Sequence, residues 1–405
     1  MVKLKNNNLK INKKNIVWTI SMLGLLVFLI IFNKTLSYNK PEDRPVGIEY
    51  AKAEVINIVS EELEPDPDFP YINIGKQQLE LKILTGDRKG EIVSANNFIG
   101  RVDNKPAKVG TKFIISSFDD FITTVIVNYS RETAIYVLVL LFMFIVIFIG
   151  KIKGIKSLFA LAVTMVCVIF LFIPLIIRGV NPIVASIIFV ILSTAVTMLS
   201  LNGVSKKTMV ACFSCVLCTA IAGILSYLFG VITNISSFNT AEAQDLLFVA
   251  QNTSLRVKEL LFAGIIISSL GAIMDTTMSI TSSVFEMYEV NNNLTSSQLF
   301  NSGMNIGKDV MGTMTNTLIL AFTGSSINIV VIYFMYNLPY MQLINIDSIV
   351  IEIIQGISGG IALVLSIPIS AFASSKLAVS PLRIGSSNKN SKILKEDIVT
   401  HTKLS

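Results

Sequence analysis

The sequence predicts a membrane α-helical bundle of eight transmembrane helices, with a small extracytoplasmic β-rich domain, barrel or OB-like, between the first two. Three observations carry this. Hydrophobic residues make up 52% of the 405 positions and charged residues only 15%, where a soluble domain is about a quarter charged. The apolar residues fall in runs close to the ~20 residues that a helix needs to cross about 30 Å of hydrocarbon. The basic residues cluster in alternate connections. A mean hydropathy of +0.67 excludes a disordered chain, a coiled coil and a nucleic-acid-binding module, despite a pI near 9.0. Four cysteines and one histidine leave little material for a disulfide framework or a histidine metal site.

Residues 1–15 are a basic N-terminus carrying Lys3, Lys5, Lys10, Lys13 and Lys14. The apolar run 16–32 follows. A basic stretch before an apolar run has the form of a secretory signal. The exit, Asn33-Lys34-Thr35-Leu36, has no small-x-small cleavage site and no cysteine for lipidation. The reading is an uncleaved anchor helix, with Trp18 at headgroup level.

Residues 33–132 form the extracytoplasmic segment. Pro41 and Pro45 mark a linker, and strand patterns begin after Ala51. One strand is 54–59. Another, 78–84, alternates with Leu79, Leu81 and Ile83 on one face. Thr85-Gly86-Asp87-Arg88-Lys89-Gly90 is a turn, Glu91-Ile92-Val93 continues beyond it, and 112–115 and 121–127 follow. Pro65, Pro67 and Pro70 mark a loop beside an acidic run of Glu61, Glu62, Glu64, Asp66 and Asp68. Without an Asp-x-Asp-x-Asp-Gly pattern for calcium, that run reads as a solvated loop.

The membrane domain, 133–375, holds the runs 134–150, 157–177, 182–201, 208–232, 260–285, 314–336 and 349–373. Lys151, Lys153, Lys156, Lys206, Lys207 and Lys308, and the basic tail 376–405, all fall on the side of the N-terminus. The positive-inside bias then makes both termini cytoplasmic. In the outer loop 233–259, Thr240 and Glu242 suit the start of a short helix. In the inner loop 286–313, Thr295-Ser296-Ser297-Gln298 is a capping-box pattern.

Polar groups at membrane depth carry the functional reading. Asp275 is the one acid at mid-span in the sixth run, and Ser279, Ser282 and Glu286 share its helix face at +4, +7 and +11. Gly264, Ser268 and Gly271 extend that stripe. In the next helix Asn305, Asp309, Thr313 and Asn316 recur at helical spacing, and Thr323, Ser325 and Ser326 interrupt the apolar run. Gly356 and Gly360 make a close-packing pair in the last span. Two readings compete: a wetted path for an ion or substrate, or hydroxyls bonded to their own carbonyls and an aspartic acid that ties helices together.

Cys212, Cys215 and Cys218 spread over about 120° of helix and read as packing residues rather than soft-metal ligands. The contexts of Asp275 and Asp309 do not fit an intramembrane aspartyl protease. No phosphate loop, nucleophile elbow or zinc motif occurs, so neither enzyme activity nor a cofactor is expected.

Four stretches resemble the YibE/F family of bacterial multi-pass membrane proteins: 84–90; Gly150-Lys151-Ile152-Lys153-Gly154; Gly271-Ala272-Ile273-Met274-Asp275; and 302–318, which contains Asn305-Ile306-Gly307-Lys308-Asp309. The resemblance covers about 54–337 and implies a bacterial plasma-membrane protein without supplying a substrate. The leading expectation is a permease with an intramembrane pathway centred on Asp275. The alternative is a non-transporting membrane protein whose β-domain binds a partner or envelope component. The partners expected are the lipid bilayer, a proton or cation, and a second copy of the chain, with no nucleic acid.

Overall fold

The computed structural model describes residues 48–117, 121 and 123–380. The anchor run 16–32 and the tail beyond Ser380 lie outside them. The described residues divide into two compact units, 48–149 and 150–380.

In the first unit five strands, β1 (Glu49–Pro65), β2 (Asn73–Ile83), β3 (Ile92–Ile99), β4 (Lys112–Ser117) and β5 (Val125–Tyr129), form an antiparallel sheet of order β3-β2-β1-β4-β5. The central strand β1 pairs with β4 through its start and with β2 through the rest. Register shifts at Val55/Asn57 and Ile58/Ser60 let it bend between the two. The edge strands then approach each other, with a parallel bridge between Ala95 and Thr124, so the sheet is a half-barrel. Alternation puts Val55, Leu79, Leu81, Ile83, Phe113 and Ile115 inside. The turn after β2 holds Gly86 and Gly90 at φ +85° and +101°, conformations that glycine adopts freely. The strand expected at 121–127 begins only at Val125, because Phe121 sits at φ +66°, outside the extended region.

The acidic run is solvated at Glu61, Glu62 and Glu64, which lie on β1 rather than in a loop, and at Asp68, but not at Asp66. Asp66 is only 1% exposed. It accepts from the backbone N–H groups of Asp68 (2.9 Å) and Phe69 (3.0 Å) and from Arg101 Nε (2.5 Å). Arg101 also donates to Asp68, and Glu62 pairs with Lys76. Burial pushes the Asp66 carboxyl up, but Arg101 and the two N–H groups outweigh it and hold the carboxyl below its ordinary range.

The helices are α1 (Glu132–Cys167), α2 (Ile173–Ile177), α3 (Pro182–Asn202), α4 (Lys206–Ile232), α5 (Ala243–Gln251), α6 (Leu260–Val290), α7 (Ser296–Ser325), α8 (Ile327–Met335), α9 (Tyr340–Leu343) and α10 (Asp347–Val379). A π-helical turn joins α1 to α2. The two runs read as 134–150 and 157–177 thus lie in one stretch, interrupted where Lys151 adopts φ +49°. The residues before that break cluster with the sheet. Among the described residues five stretches are long and apolar enough to cross a membrane, or six if α7 and α8 form one bent span.

Two loop expectations change. Most of 286–313 is helix: α6 runs on to Val290, and α7 starts at the expected capping box, where Thr295 Oγ1 accepts from Gln298 N–H at 3.3 Å. Thr240 does not cap α5; its hydroxyl donates to Ser237 O at 3.0 Å, and Glu242 takes the N-cap position. Cys215 and Cys218 are fully buried packing residues. In the bundle α6 is central, against α3, α4, α7 and α10, while α7 lies along α10. Gly303 and Gly307 allow this approach: a Cβ on Gly303 would meet Val284 at 2.9 Å, and one on Gly307 would overlap Ile367.

Candidate functional site

The 3.6-residue period does place the expected residues on shared faces, and the packing decides where those faces look. On α6, Ile273, Thr277, Ile280 and Val284 are buried. Asp275, Ser279 and Glu286 are exposed on the opposite face, together with Gly264, Ser268 and Gly271, and Ser282 is half-buried among them. Asp275 makes no hydrogen bond or ion pair among the described residues. On α7, Gly303, Gly307 and Leu318 are buried against neighbours, while Asn305, Asp309, Thr313, Asn316 and Thr323 are exposed. The two helices therefore meet through glycines rather than through their polar faces.

Several hydroxyls are spent locally. Thr313 donates to Val310 O (2.9 Å), Thr323 to Ile319 O (2.9 Å) and Ser325 to Phe322 O (2.7 Å). Such back-bonds compete with the helix ladder. Beside them Ser326 N–H turns to Thr323 O at 3.3 Å, one residue short of the helical partner. The chain breaks there, and α7 and α8 meet at 65°. The apolar run 314–336 is thus not one straight helix.

Ser326, 7% exposed, is the one expected residue brought to a carboxylate, and that carboxylate is Glu352 on α10 rather than Asp275. Its hydroxyl donates to Glu352 Oε1, while Oε2 is buried with no partner. Sequence reasoning overlooked Glu352 because it stands near the start of its run. The signal was present, since Ile349-Val350-Ile351-Glu352-Ile353-Ile354 holds a carboxylate in an apolar stretch. A crevice of about 270 Å³ opens at this point, lined by Thr323, Ser326, Glu352 and Gly356 with Phe322 and several isoleucines. A second, of about 310 Å³, shares Ile319, Gly356 and Ile357 with it and runs down the α7–α10 contact past Thr315, whose hydroxyl is also buried and unpartnered. A larger groove of about 740 Å³ by Phe213, Phe300 and Phe372 is almost wholly apolar and offers no chemistry.

Long apolar helices in a close-packed bundle, one broken beside a buried carboxylate and all following a half-barrel sheet, define a membrane protein. The family model of YibE/F-like proteins matches residues 138–380, and the chain belongs to that family. The match spans the helical unit and leaves the sheet, including 84–90, outside it. No curated protein and no solved structure matches the chain.

Proposed function

We propose that the protein is a permease of the bacterial cell membrane that moves a small solute or ion along a polar path. The observation that carries this reading is the broken span. Non-helical backbone at membrane depth is tolerated where protein buries it or a wet cavity borders it, and discontinuous helices are where transporters build binding sites. The polar faces add support. A charge at the bilayer centre costs roughly 2.5–3.5 kcal/mol on insertion scales, so Asp275 needs water, a proton or a cation. On this reading α6 contributes Asp275, Ser279, Ser282 and Glu286, and α7 contributes Asp309, Thr313, Asn316, Thr323 and Ser325, with Ser326 at the break.

Asp275→Asn tests it. The variant should melt like the wild type in detergent yet fail to restore whatever growth phenotype the wild-type gene restores in a deletion strain. Full complementation by Asp275→Asn, beside lost stability in Asp275→Leu, would make Asp275 a packing residue and remove it from the path. Both termini are cytoplasmic on this reading. A reporter after Ser405 should read internal and one near Gly90 external; an external C-terminus would overturn the orientation.

One observation favours a second reading, in which the OB-like half-barrel binds an envelope component. Tyr71, Phe98 and Val102 are 83%, 76% and 88% exposed on the sheet unit. The same growth assay decides: serine at all three positions should abolish complementation under this reading and leave it intact under the permease reading.

A further inference from the structure

We propose that the crevice at the break between α7 and α8 binds a monovalent metal cation of sodium size, with Glu352 as its charged ligand and Ser326 as a neutral one. This goes beyond the permease reading and does not rest on it, because it concerns binding alone.

Glu352 stands in the second turn of α10, about 8 Å along the axis from Asp347. Its Oε1 accepts the Ser326 hydroxyl, and its Oε2 has neither solvent nor a hydrogen-bond donor. One turn earlier on the same face, Ser348 Oγ is also buried and unpartnered. Buried polar atoms are nearly always bonded, and a bare carboxylate oxygen is among the costliest to leave open. The bland alternative is that Glu352 merely caps α8 through Ser326, where the helix dipole welcomes negative charge. That accounts for Oε1 and gives Oε2 nothing to do.

The surroundings suit a hard cation. No Lys, Arg or His lines the crevice. The hydroxyls of Thr323 and Ser326 have already given their protons, to Ile319 O and to Glu352, so each oxygen keeps lone pairs for a metal. Oxygen donors select hard ions over soft ones. Charge then selects the valence. Glu352 is the one carboxylate in the lining, and among the described residues no three Asp, Glu, His or Cys converge anywhere. A monovalent ion leaves the crevice neutral. A divalent ion would leave a net positive charge at membrane depth, which calcium sites avoid by gathering several carboxylates. At about 270 Å³ the crevice has room for an ion together with its remaining waters at ~30 Å³ each.

The test is thermal melting of the full-length protein in detergent, in sodium chloride against choline chloride at equal ionic strength. The wild type should melt several degrees higher in sodium, with a saturable dependence on concentration. Glu352→Gln should keep the choline melting temperature and lose the sodium rise. Ser326→Ala should keep the rise but need about tenfold more sodium, the loss of one neutral ligand. Equal wild-type melting in both salts, or an undiminished rise in Glu352→Gln, overturns the site. If Glu352→Gln does not fold, the wild-type titration and Ser326→Ala decide: no rise, or an unshifted midpoint, overturns it. A sodium rise together with full complementation by Asp275→Asn upholds this site while removing Asp275 from the path, so the two ideas fail separately.

Discussion

The sheet unit and the helical unit bury polar groups differently. In the sheet unit several buried polar side chains are bonded across elements, to one another and to the backbone. Gln77 takes the N–H of Ala107 (2.8 Å) and gives to its carbonyl (3.1 Å), Asn97 gives to Gln77 (3.2 Å) and to Lys105 O (2.7 Å), and Lys105 reaches Asp103 (2.6 Å). These bonds fasten the irregular stretch 100–111 to β2 and β3. In the helical unit most buried hydroxyls bond a carbonyl of their own helix, as Ser186, Thr219, Ser269 and Thr276 do, so the helices are held to one another mainly by apolar and glycine contacts. Among the described residues, the buried side-chain oxygens without a partner all lie there: Ser214, Thr281, Thr315, Ser348, Glu352 and Ser370. A closed network specifies structure, because each member is costly to remove. An open valence costs stability instead, and so marks where a ligand or water can enter.

Five substitutions would break or sharpen this contrast. The largest effect is expected at the glycine seam of the bundle. Gly307→Leu should cost about 3 kcal/mol by overpacking against Ile367 and Ile280, seen as a lower melting temperature in detergent. Gly312→Leu, where nothing stands within 4 Å, should melt like the wild type.

Next comes a matched pair. Gln77→Leu strands the Ala107 N–H and the Asn97 amide and should destabilise the sheet unit by about 1–3 kcal/mol. Thr281→Val removes a fully buried hydroxyl that has no partner and should leave stability unchanged or raise it by about 1 kcal/mol. If Thr281→Val proves the costlier of the two, the hydroxyl is bonded in the native protein and the contrast fails.

The smallest effect concerns acid. Because the Asp66 carboxyl is held below its ordinary range in the folded state, its contribution is full above the unfolded value of about 3.9 and fades as pH falls through the folded one. Asp66→Asn should therefore flatten the acid limb of the stability profile of the sheet unit and leave its neutral region lower throughout. An unchanged acid limb would show that Arg101 stabilises nothing through this pair.

Much of the fold was legible because it depends on local periodicity. The alternation of Leu79, Leu81 and Ile83 needed only the two-residue repeat of a strand, the glycine turn at 85–90 only the sterics of positive φ, and the start of α7 only the Thr295–Gln298 pair. The shared face of Asp275, Ser279, Ser282 and Glu286 followed in the same way from the 3.6-residue repeat. The polar interruption of the seventh run at 323–326 was legible too, but not that the helix breaks there, where Thr323 and Ser325 bond carbonyls of their own helix.

What a repeat cannot say is which neighbour a face meets. Only the tertiary structure turned the Asp275 stripe away from the packed side of α6, set Gly303 and Gly307 at the contact instead, buried Asp66 under Arg101, and brought Ser326 to Glu352. Those pairings join residues 26 to 35 positions apart or more. Their energies depend on burial and on unmatched hydrogen-bonding capacity, which arise when separate segments pack together and have no counterpart in the sequence of either one.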